Sequence, residues 1–583
     1  ASGVVNQYIS HVTDTHLRDL ILKCTREFEN TTRPRLQSLR KSVIHNDAND
    51  YNVLAGGGTD LYSRNQSVTG IIDFGDMVYS HTVCDPAIAA AYAMLDMPDP
   101  LQTAGLVIKG YHGVYPLEET EISVLFSLIC MRLCVSACMA AFQQKQRPDD
   151  PYLRISQAPI KKVLPELASV DPEFATGVFR SACGLDPFPK SRQVEAWLTK
   201  NRHLCFPVMG EPLTQETCTV LDLCVDSPLV SGDPAAPAAD DFAQHLSARL
   251  KQAGARYGIG RYKETRLRQS SFLEPHPVPE KGVTPSVHLC MEVIAPQDAC
   301  VFAPFAGRIH SVTKNKAGED QGAALVLEHN PASGIVFYTI FSQLSSRSIA
   351  GLSPGEKIEK GQAFATIASK TENGGWPPHV RMQLVTRLLG YGSDFPSACS
   401  WNQTAVWTKI CLDPNLVLQI PDNCFPVPKP GKQETLAARR RRISDNLSIG
   451  YRDPVKIVRG WHQYLFDDTG RQFLDAYNNV PHVGHCHPAV IQAGVKQMKC
   501  LNTNTRYLHD AIIAYADKLS ATMPDPLEVC FFLNSASEAN ELAVRLAKAH
   551  TRQKDFIVLE GAYHGNTNTL IDMSPYKHGG PGG

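Results

Sequence analysis

Val43-Ile44-His45-Asn46-Asp47-Ala48-Asn49-Asp50-Tyr51-Asn52 carries the pattern HxDxxxxN, and Ile71-Ile72-Asp73-Phe74-Gly75-Asp76 follows it, with Asp73 twenty-one residues after Asn52. Two short β-prone runs lie between, Val53-Leu54-Ala55 and Val68 to Ile72, split by the turn Gly56-Gly57-Gly58. Downstream, Val83 to Leu95 and Glu119 to Phe142 are apolar at helical spacing. The expectation is a strand pair set in a helical lobe. Phosphoryl transfer from ATP requires a base that orients the acceptor, plus oxygen ligands for Mg²⁺. The loop-then-hairpin order supplies both. Asp47 is the candidate catalytic base, Asn52 and Asp73 are the candidate Mg²⁺ ligands, and His45 is a buried loop support. An isolated Asp73 would read as a solvated turn aspartate; the joint pattern carries the assignment.

Moving outward, the chain of 583 residues is too long for one core. Hydrophobic and charged contents of 43% and 20% are those of ordinary globular protein. A net charge of −1 provides no global field to recruit nucleic acid or an anionic membrane, so neither is expected as a partner. The seventeen cysteines are scattered without a CxxC pair, which reads as reduced thiols and a cytoplasmic location. No uninterrupted run of about 18 apolar residues is present, so no transmembrane helix is expected. The start, Ala1-Ser2-Gly3, and the end, Gly579-Gly580-Pro581-Gly582-Gly583, both read as truncations.

Val43-Ile44-His45, Asn49-Asp50-Tyr51-Asn52, Gly70 to Asp76, Ala87 to Tyr92 and Ala104 to Tyr115 resemble the aminoglycoside phosphotransferase/choline kinase-like family, hydroxylysine kinases included. The resemblance covers about the first 180 residues. It implies a kinase C-lobe with ATP and Mg²⁺ as cofactors, and an N-terminal ATP-binding lobe not found in the 44 residues before His45. The family usually has Gly where Asn46 stands.

A β-rich block follows. Val301 to Ala303, Arg308 to Val312, Ala324 to Leu327 and Val336 to Ile340 read as strands broken by Gly, Pro and Asn. His288-Leu289-Cys290-Met291-Glu292, Ala303 to Gly307, Pro354 to Gly361 and Trp376 to Arg381 resemble the lysostaphin-like metallopeptidase fold. By that resemblance the zinc positions are His288, Glu292, His379 and Arg381, and a further family histidine falls at Gln343. Catalytic zinc needs three lone-pair donors and an open position. Arg381 has no lone pair to give and stays protonated. No zinc and no peptidase activity are expected; a guanidinium pairing with Glu292 is the alternative.

At the far end, Val529 to Leu533 reads as a buried strand, Ala536 to His550 as a helix and Phe556 to Leu559 as a strand, a parallel α/β pattern. Asn534 or Ser535 can cap that helix, and free N–H groups at its start form an anion site. Ser535, Ala536 and Ser537 are small enough to admit a phosphate, and Tyr563-His564-Gly565 follows the next strand. Asn446-Leu447-Ser448, Lys456 to Gly460, Tyr464 to Asp467, Tyr477 to Pro488, Leu501 to His509 and Ser537 to Glu541 resemble class III pyridoxal-phosphate (PLP) enzymes, ethanolamine-phosphate and phosphohydroxylysine phospho-lyases included. The resemblance implies that Ser535, Ala536 and Ser537 bind the PLP phosphate. Tyr563 would stack on the ring with His564 beside it, and Tyr477, Asn478 and Asn479 would lie near the substrate. It places the Schiff-base lysine and the aspartate for the pyridinium nitrogen downstream of the Tyr-His-Gly motif, past Gly583.

The expected architecture is multi-domain. Residues 1–195 form an α+β protein-kinase-like C-lobe and 196–275 a linker and intermediate region. Residues 276–395 form an all-β metallopeptidase-like module (duplicated hybrid motif), 396–430 a Pro-rich linker, and 431–583 a partial α/β PLP fold-type I domain. A hydroxyl leaves poorly and a phosphate well, so a kinase prepares an amino alcohol for PLP-assisted elimination. The expected function is therefore phosphorylation of an amino alcohol or amino acid followed by loss of phosphate, in a homodimer when full length. The alternatives are a class III transaminase fused to a small-molecule kinase, and a non-catalytic scaffold of degraded domains. The fragment by itself is expected to be inactive.

Overall fold

The computed structural model describes all residues except 57–66, 150–156, 231–239, 268–284, 314–321, 445–446, 448, 452, 478–480 and 578–583. The Gly57-Gly58 turn, most of the 231–240 linker, Asn446, Ser448, Asn478 and Asn479 lie outside the described residues. The chain divides into two compact units, Ala1–His487 and Pro488–Gly583.

The first unit opens with helices whose starts are written in the sequence. Asp99 precedes Pro100 and accepts from the Gln102 N–H (3.0 Å); Asp171 precedes Pro172 and accepts from the Glu173 N–H (2.8 Å). An aspartate cap followed by proline at the first helical position satisfies an orphan donor and presets φ. The expected helices form as Cys84–Ala93, Glu119–Ile122 and Leu125–Gln146. Leu125–Gln146 is long and apolar enough to cross a membrane, although a few polar residues break its apolar run. Its apolar residues, among them Ile129, Leu133, Cys134 and Ala137, are buried in the core of the lobe. The hairpin forms between Val53–Gly56 and Ser67–Ile71, antiparallel with Val53 opposite Ile71.

A nine-stranded sheet occupies the middle of the chain. In spatial order its path runs Lys357–Ile358, Gly307–Thr313, Ala323–Ala332, Ile335–Leu344, His379–Val385, Met291–Ile294, Tyr257–Gly260 and Cys218–Val220, with Cys411–Leu412 paired to His379–Val385. Every pairing in this sheet is antiparallel except Cys218–Val220 with Tyr257–Gly260. His379–Val385 is buried at every position, as a central strand covered on both faces must be. The sheet therefore reaches beyond 276–395 into the region read as a linker on either side. Residues 396–430 carry the strand Ala398–Ser400 and the helices Thr404–Ile410 and Asn415–Leu418. Val406, Trp407, Ile410, Val417 and Leu418 are buried there, because the apolar residues between the prolines have a core to enter. One apolar core joins the helical lobe to this block, with the Phe174 and Trp407 rings 4.7 Å apart. All seventeen cysteines are free.

From Lys432 onward the expected parallel α/β pattern is not what forms. Ile457–Trp461, Tyr464–Asp467 and Gln472–Leu474 make a three-stranded antiparallel sheet. In the second unit the described residues hold helices and no strand; Ala536–Thr551 is helical as expected. Val529–Leu533, read as a buried strand, and Phe556–Leu559, read as a strand, are irregular and largely exposed. A parallel strand is held by ladder partners on its edges, and no described residues pair with these two segments.

Candidate functional site

The kinase-type constellation is built on a loop held from three sides. Asn46 has φ 65°, the left-handed backbone for which glycine is the usual choice, and its N–H donates to Asp85 Oδ1 (3.1 Å). Asparagine tolerates this region better than most residues, so the loop keeps its path with the substituted side chain. His45 is buried, and its Nε2 lies 2.9 Å from the Ile72 carbonyl, in the loop-support role expected of it. Asn52 is buried at the root of the hairpin, where its Nδ2 donates to the Asp47 carbonyl (2.9 Å) and to Asp47 Oδ2 (3.1 Å). Its Nδ2 is thereby committed to Asp47, and Oδ1 is the side chain's acceptor atom.

Asp73 stands just past the opposite strand. The Ile72 N–H donates to the Asn52 carbonyl (3.0 Å), so Asp73 and Asn52 flank one end of the hairpin. Asp73 is exposed and left-handed (φ 62°, ψ 65°), a conformation that recurs at functional turns. The loop thus brings Asp47 and Asn52 into direct contact and places Asp73 at their shared edge. Asn52 and Asp73 carry oxygen donors of the type Mg²⁺ takes, few from protein with phosphate and water completing the shell.

Sequence reading missed one partner. Arg132 Nη2 lies 2.5 Å from Asp47 Oδ1, with both side chains about three-quarters buried (24% and 23% exposed). Arg132 Nε donates to the Tyr92 hydroxyl (3.2 Å), and its guanidinium sits 5.3 Å from the Tyr92 ring centroid. Asp47 Oδ2 also accepts from Asn49 Nδ2 (3.0 Å). The carboxylate is thereby held at both oxygens. Arg132 is 85 residues from Asp47 within an apolar helix, and no motif marks it.

The four zinc positions do converge. Arg381 pairs with Glu292 across neighbouring strands, and His288, Glu292 and His379 are fully buried. Glu292 among them is held by Arg266, which sequence reading also missed. Arg266 Nη1 is 2.9 Å from Glu292 Oε2 and its Nε 2.8 Å from Glu264 Oε2; Arg381 Nε stands farther off, 3.7 Å from Glu292 Oε1. His288 Nε2 lies 3.3 Å from Glu292 Oε1. Burial alone would raise the Glu292 pKa, but the charge of Arg266 and the contact with His288 hold it well below the carboxylate range. Burial pushes the His379 pKa down to about 4 and that of His288 down as well. A permanent cation already neutralises the carboxylate that zinc would need, so this donor set does not fit the metal. Gln343, at the further family-histidine position, is buried with φ 65°.

In the second unit, Ser535 is the cap of helix Ala536–Thr551, accepting from the Glu538 N–H (3.2 Å). The N–H groups of Ala536 and Ser537 precede any intrahelical acceptor and open at the helix mouth. Ser537 Oγ accepts from the Asn566 N–H (3.1 Å), and Asn540 Nδ2 donates to the His564 carbonyl (2.7 Å). Glu541 accepts from Thr567 (2.5 Å) and Thr569 (2.9 Å). The Tyr563-His564 loop is therefore bound to the first turns of the helix. His564 Nε2 is buried without a partner, and Tyr563 is exposed. A helix mouth with small residues, a free imidazole nitrogen and an available aromatic ring fits a flat phosphorylated cofactor. Tyr477 is exposed at 86%.

Residues 4–119 match the family model described as phosphotransferase enzyme family, and residues 449–579 match aminotransferase class-III. The chain is 51% identical over 153 residues to alanine–glyoxylate aminotransferase 2-like of Drosophila melanogaster, covering 26% of this chain and 31% of that protein. It is 43% identical over 147 residues to ethanolamine-phosphate phospho-lyase homolog 1 of Caenorhabditis elegans, covering 25% of this chain and 31% of that protein. The catalytic domain of the antimicrobial peptidase lysostaphin from Staphylococcus simulans is a structural neighbour at 18% identity and a TM-score of 0.18, covering 30% of this chain and 97% of that one. The chain spans about a third of the length of the curated relatives it matches. It is a multi-domain protein of mixed helices and sheets that joins a phosphotransferase-family segment to a class-III aminotransferase segment.

Proposed function

We propose that the protein belongs to a bifunctional enzyme that phosphorylates an amino alcohol with ATP and then eliminates the phosphate with PLP. The observation that carries the reading is the pairing of two sites in one chain. One is the Asp47–Asn52 contact at the root of a hairpin that ends on Asp73. The other is the open helix mouth at Ser535–Ser537, with the Tyr563-His564 loop bound to it. In the first site Asp47 accepts the proton of the substrate hydroxyl, while Asn52 and Asp73 hold Mg²⁺. Bound Mg²⁺ supplies charge neutralisation for the phosphates. In the second, the Ala536 and Ser537 N–H groups and the Ser537 hydroxyl hold the cofactor phosphate, and Tyr563 covers the ring. Bound PLP supplies the electron sink that lets phosphate leave from the carbon next to the amine-bearing carbon.

The β-block between them is a metallopeptidase-like scaffold without zinc, on the strength of the Arg266–Glu292 pair. A cytoplasmic location and homodimeric assembly of the whole protein belong to the same proposal. The transaminase alternative is favoured by one observation, the aminotransferase name of the Drosophila relative.

The test uses the full-length protein, γ-labelled ATP, and ethanolamine or 5-hydroxylysine as acceptor. Label appears on the amino alcohol, then as free phosphate once PLP is present. Asp47→Asn lowers the first step by about 10²–10⁴-fold, the usual contribution of a positioned base. Label that never reaches an amino alcohol sinks the coupled scheme. A new amino acid formed from a keto acid, without release of phosphate, transfers the second site to the transaminase reading.

A further inference from the structure

Phosphoryl transfer sets a carboxylate against an anionic phosphoryl group. The free carboxylate of an aspartate rotates, and it repels the group that its substrate must attack. Both difficulties are met by a guanidinium that holds the carboxylate and offsets its charge. In this lobe Asp47 Oδ2 is already occupied by the amides of Asn49 and Asn52. Its Oδ1 meets Arg132 Nη2 at 2.5 Å. Arg132 is itself fixed, from below by the Tyr92 ring and at Nε by the Tyr92 hydroxyl. Tyr92 and Arg132 come from two helices packed against each other, Cys84–Ala93 and Leu125–Gln146.

A polar chain Tyr92–Arg132–Asp47 thus runs from the helical core to the loop that carries the base. A surface ion pair of two long side chains contributes little, because both partners lose rotamer freedom to form it. This pair is three-quarters buried, and its arginine is anchored before it reaches the carboxylate.

We propose that Arg132 is a positioning residue of the phosphoryl-transfer site, acting through Asp47 and itself set by Tyr92. The proposal rests on the kinase reading above. Arg132 fixes the rotamer of Asp47 and offsets its charge as the phosphoryl group approaches. Its loss lowers kcat far more than it raises either KM, because the guanidinium acts on the base rather than on the nucleotide or the acceptor.

The experiment measures transfer from γ-labelled ATP to ethanolamine and to 5-hydroxylysine by the full-length protein. Wild type, Arg132→Met, Arg132→Lys, Tyr92→Phe and Arg132→Met/Tyr92→Phe are compared, each checked for folding by circular dichroism. Arg132→Met is expected to lower kcat by about 10–100-fold with each KM within about threefold, an interaction felt in the transition state rather than in binding. Arg132→Lys restores part of the loss by returning the charge without the planar fork. Tyr92→Phe lowers kcat severalfold in the wild-type background and has no effect in the Arg132→Met background, since the tyrosine acts through the arginine.

A folded Arg132→Met protein with wild-type kcat overturns the proposal. So do losses from the two substitutions that simply multiply, which would mark two independent packing effects. Should Arg132→Met fail to fold, Arg132→Lys and Tyr92→Phe decide by the same split of kcat against KM. A wild-type protein that transfers no label overturns the kinase reading itself, and the positioning role falls with it; an active wild type with an indifferent Arg132 overturns the positioning role alone.

Discussion

Two residues that carry no motif, Arg132 and Arg266, hold the carboxylates at the two candidate sites of the first unit. Arg266 is fully buried between Glu264 and Glu292. His379 and His329 are both pushed down to about 4 by burial, against 6.5 for a free imidazole. Between those values the unfolded chain binds more protons than the folded one, so stability is full above pH 6.5 and falls as pH drops toward 4. Each histidine contributes a loss of up to about 1.4 kcal/mol per pH unit in that window. Glu292, held well below its ordinary value, adds a loss in the same direction at lower pH still, as the pH falls through its folded-state value. The β-block should therefore lose resistance to urea between pH 6.5 and 4, measured by hydrogen exchange of the His379–Val385 amides. A double His329→Gln/His379→Gln variant should show a flatter profile; an unchanged slope would refute the assignment to these histidines.

At the scale of elements, the strand Tyr257–Gly260 shows how closely the sheet is fitted to the buried charges. A β-carbon on Gly260 would lie 2.6 Å from Glu292 Oε2 and 2.8 Å from Arg266 Nη2. Both atoms are ends of side chains, but Glu292 Oε2 is held in the ion pair and Arg266 Nη2 belongs to a guanidinium pinned at Nη1 and Nε, with core around both. Gly260→Ala should destabilise the sheet by about 1–3 kcal/mol through overpacking, read as a lowered midpoint in thermal denaturation. A midpoint unchanged from wild type would mean that the pair can move aside. Gly254 is a control for glycine replacement only in part: it has open space around it, but its φ of 63° strains any substitute.

At the scale of the whole molecule, the two units differ in how they use their apolar residues. In Ala1–His487 they fill two large buried clusters. In Pro488–Gly583, Val529 and Phe531 are exposed at 81% and 64%, and Ile557 and Leu559 at 104% and 80%. Apolar segments with open backbone edges invite pairing with another chain. Phe531→Lys with Ile557→Lys should raise the concentration at which this chain stays free of aggregates in light scattering. Equal scattering from both proteins would show that these segments are not the adhesive surface.

What was legible from sequence alone was local. The HxDxxxxN loop, the hairpin after it, the aspartate caps and the helix opening at Ala536 rest on dihedral preferences and hydrogen bonds within a few residues of each other, so short words of sequence determine them. The assignment of the terminal segments was legible for the same reason, through runs such as Tyr477 to Pro488. Tertiary structure alone decided the rest. It put Arg132 on Asp47 and Arg266 on Glu292 of the would-be zinc cluster. It drew Cys218–Val220 and Cys411–Leu412 into a sheet whose core strands lie far away in the chain, and it left Val529–Leu533 without a ladder. Strand pairing and buried ion pairs are contracts between distant residues: an arginine does not reveal its carboxylate, nor a β-prone run its neighbour, until packing brings the two together.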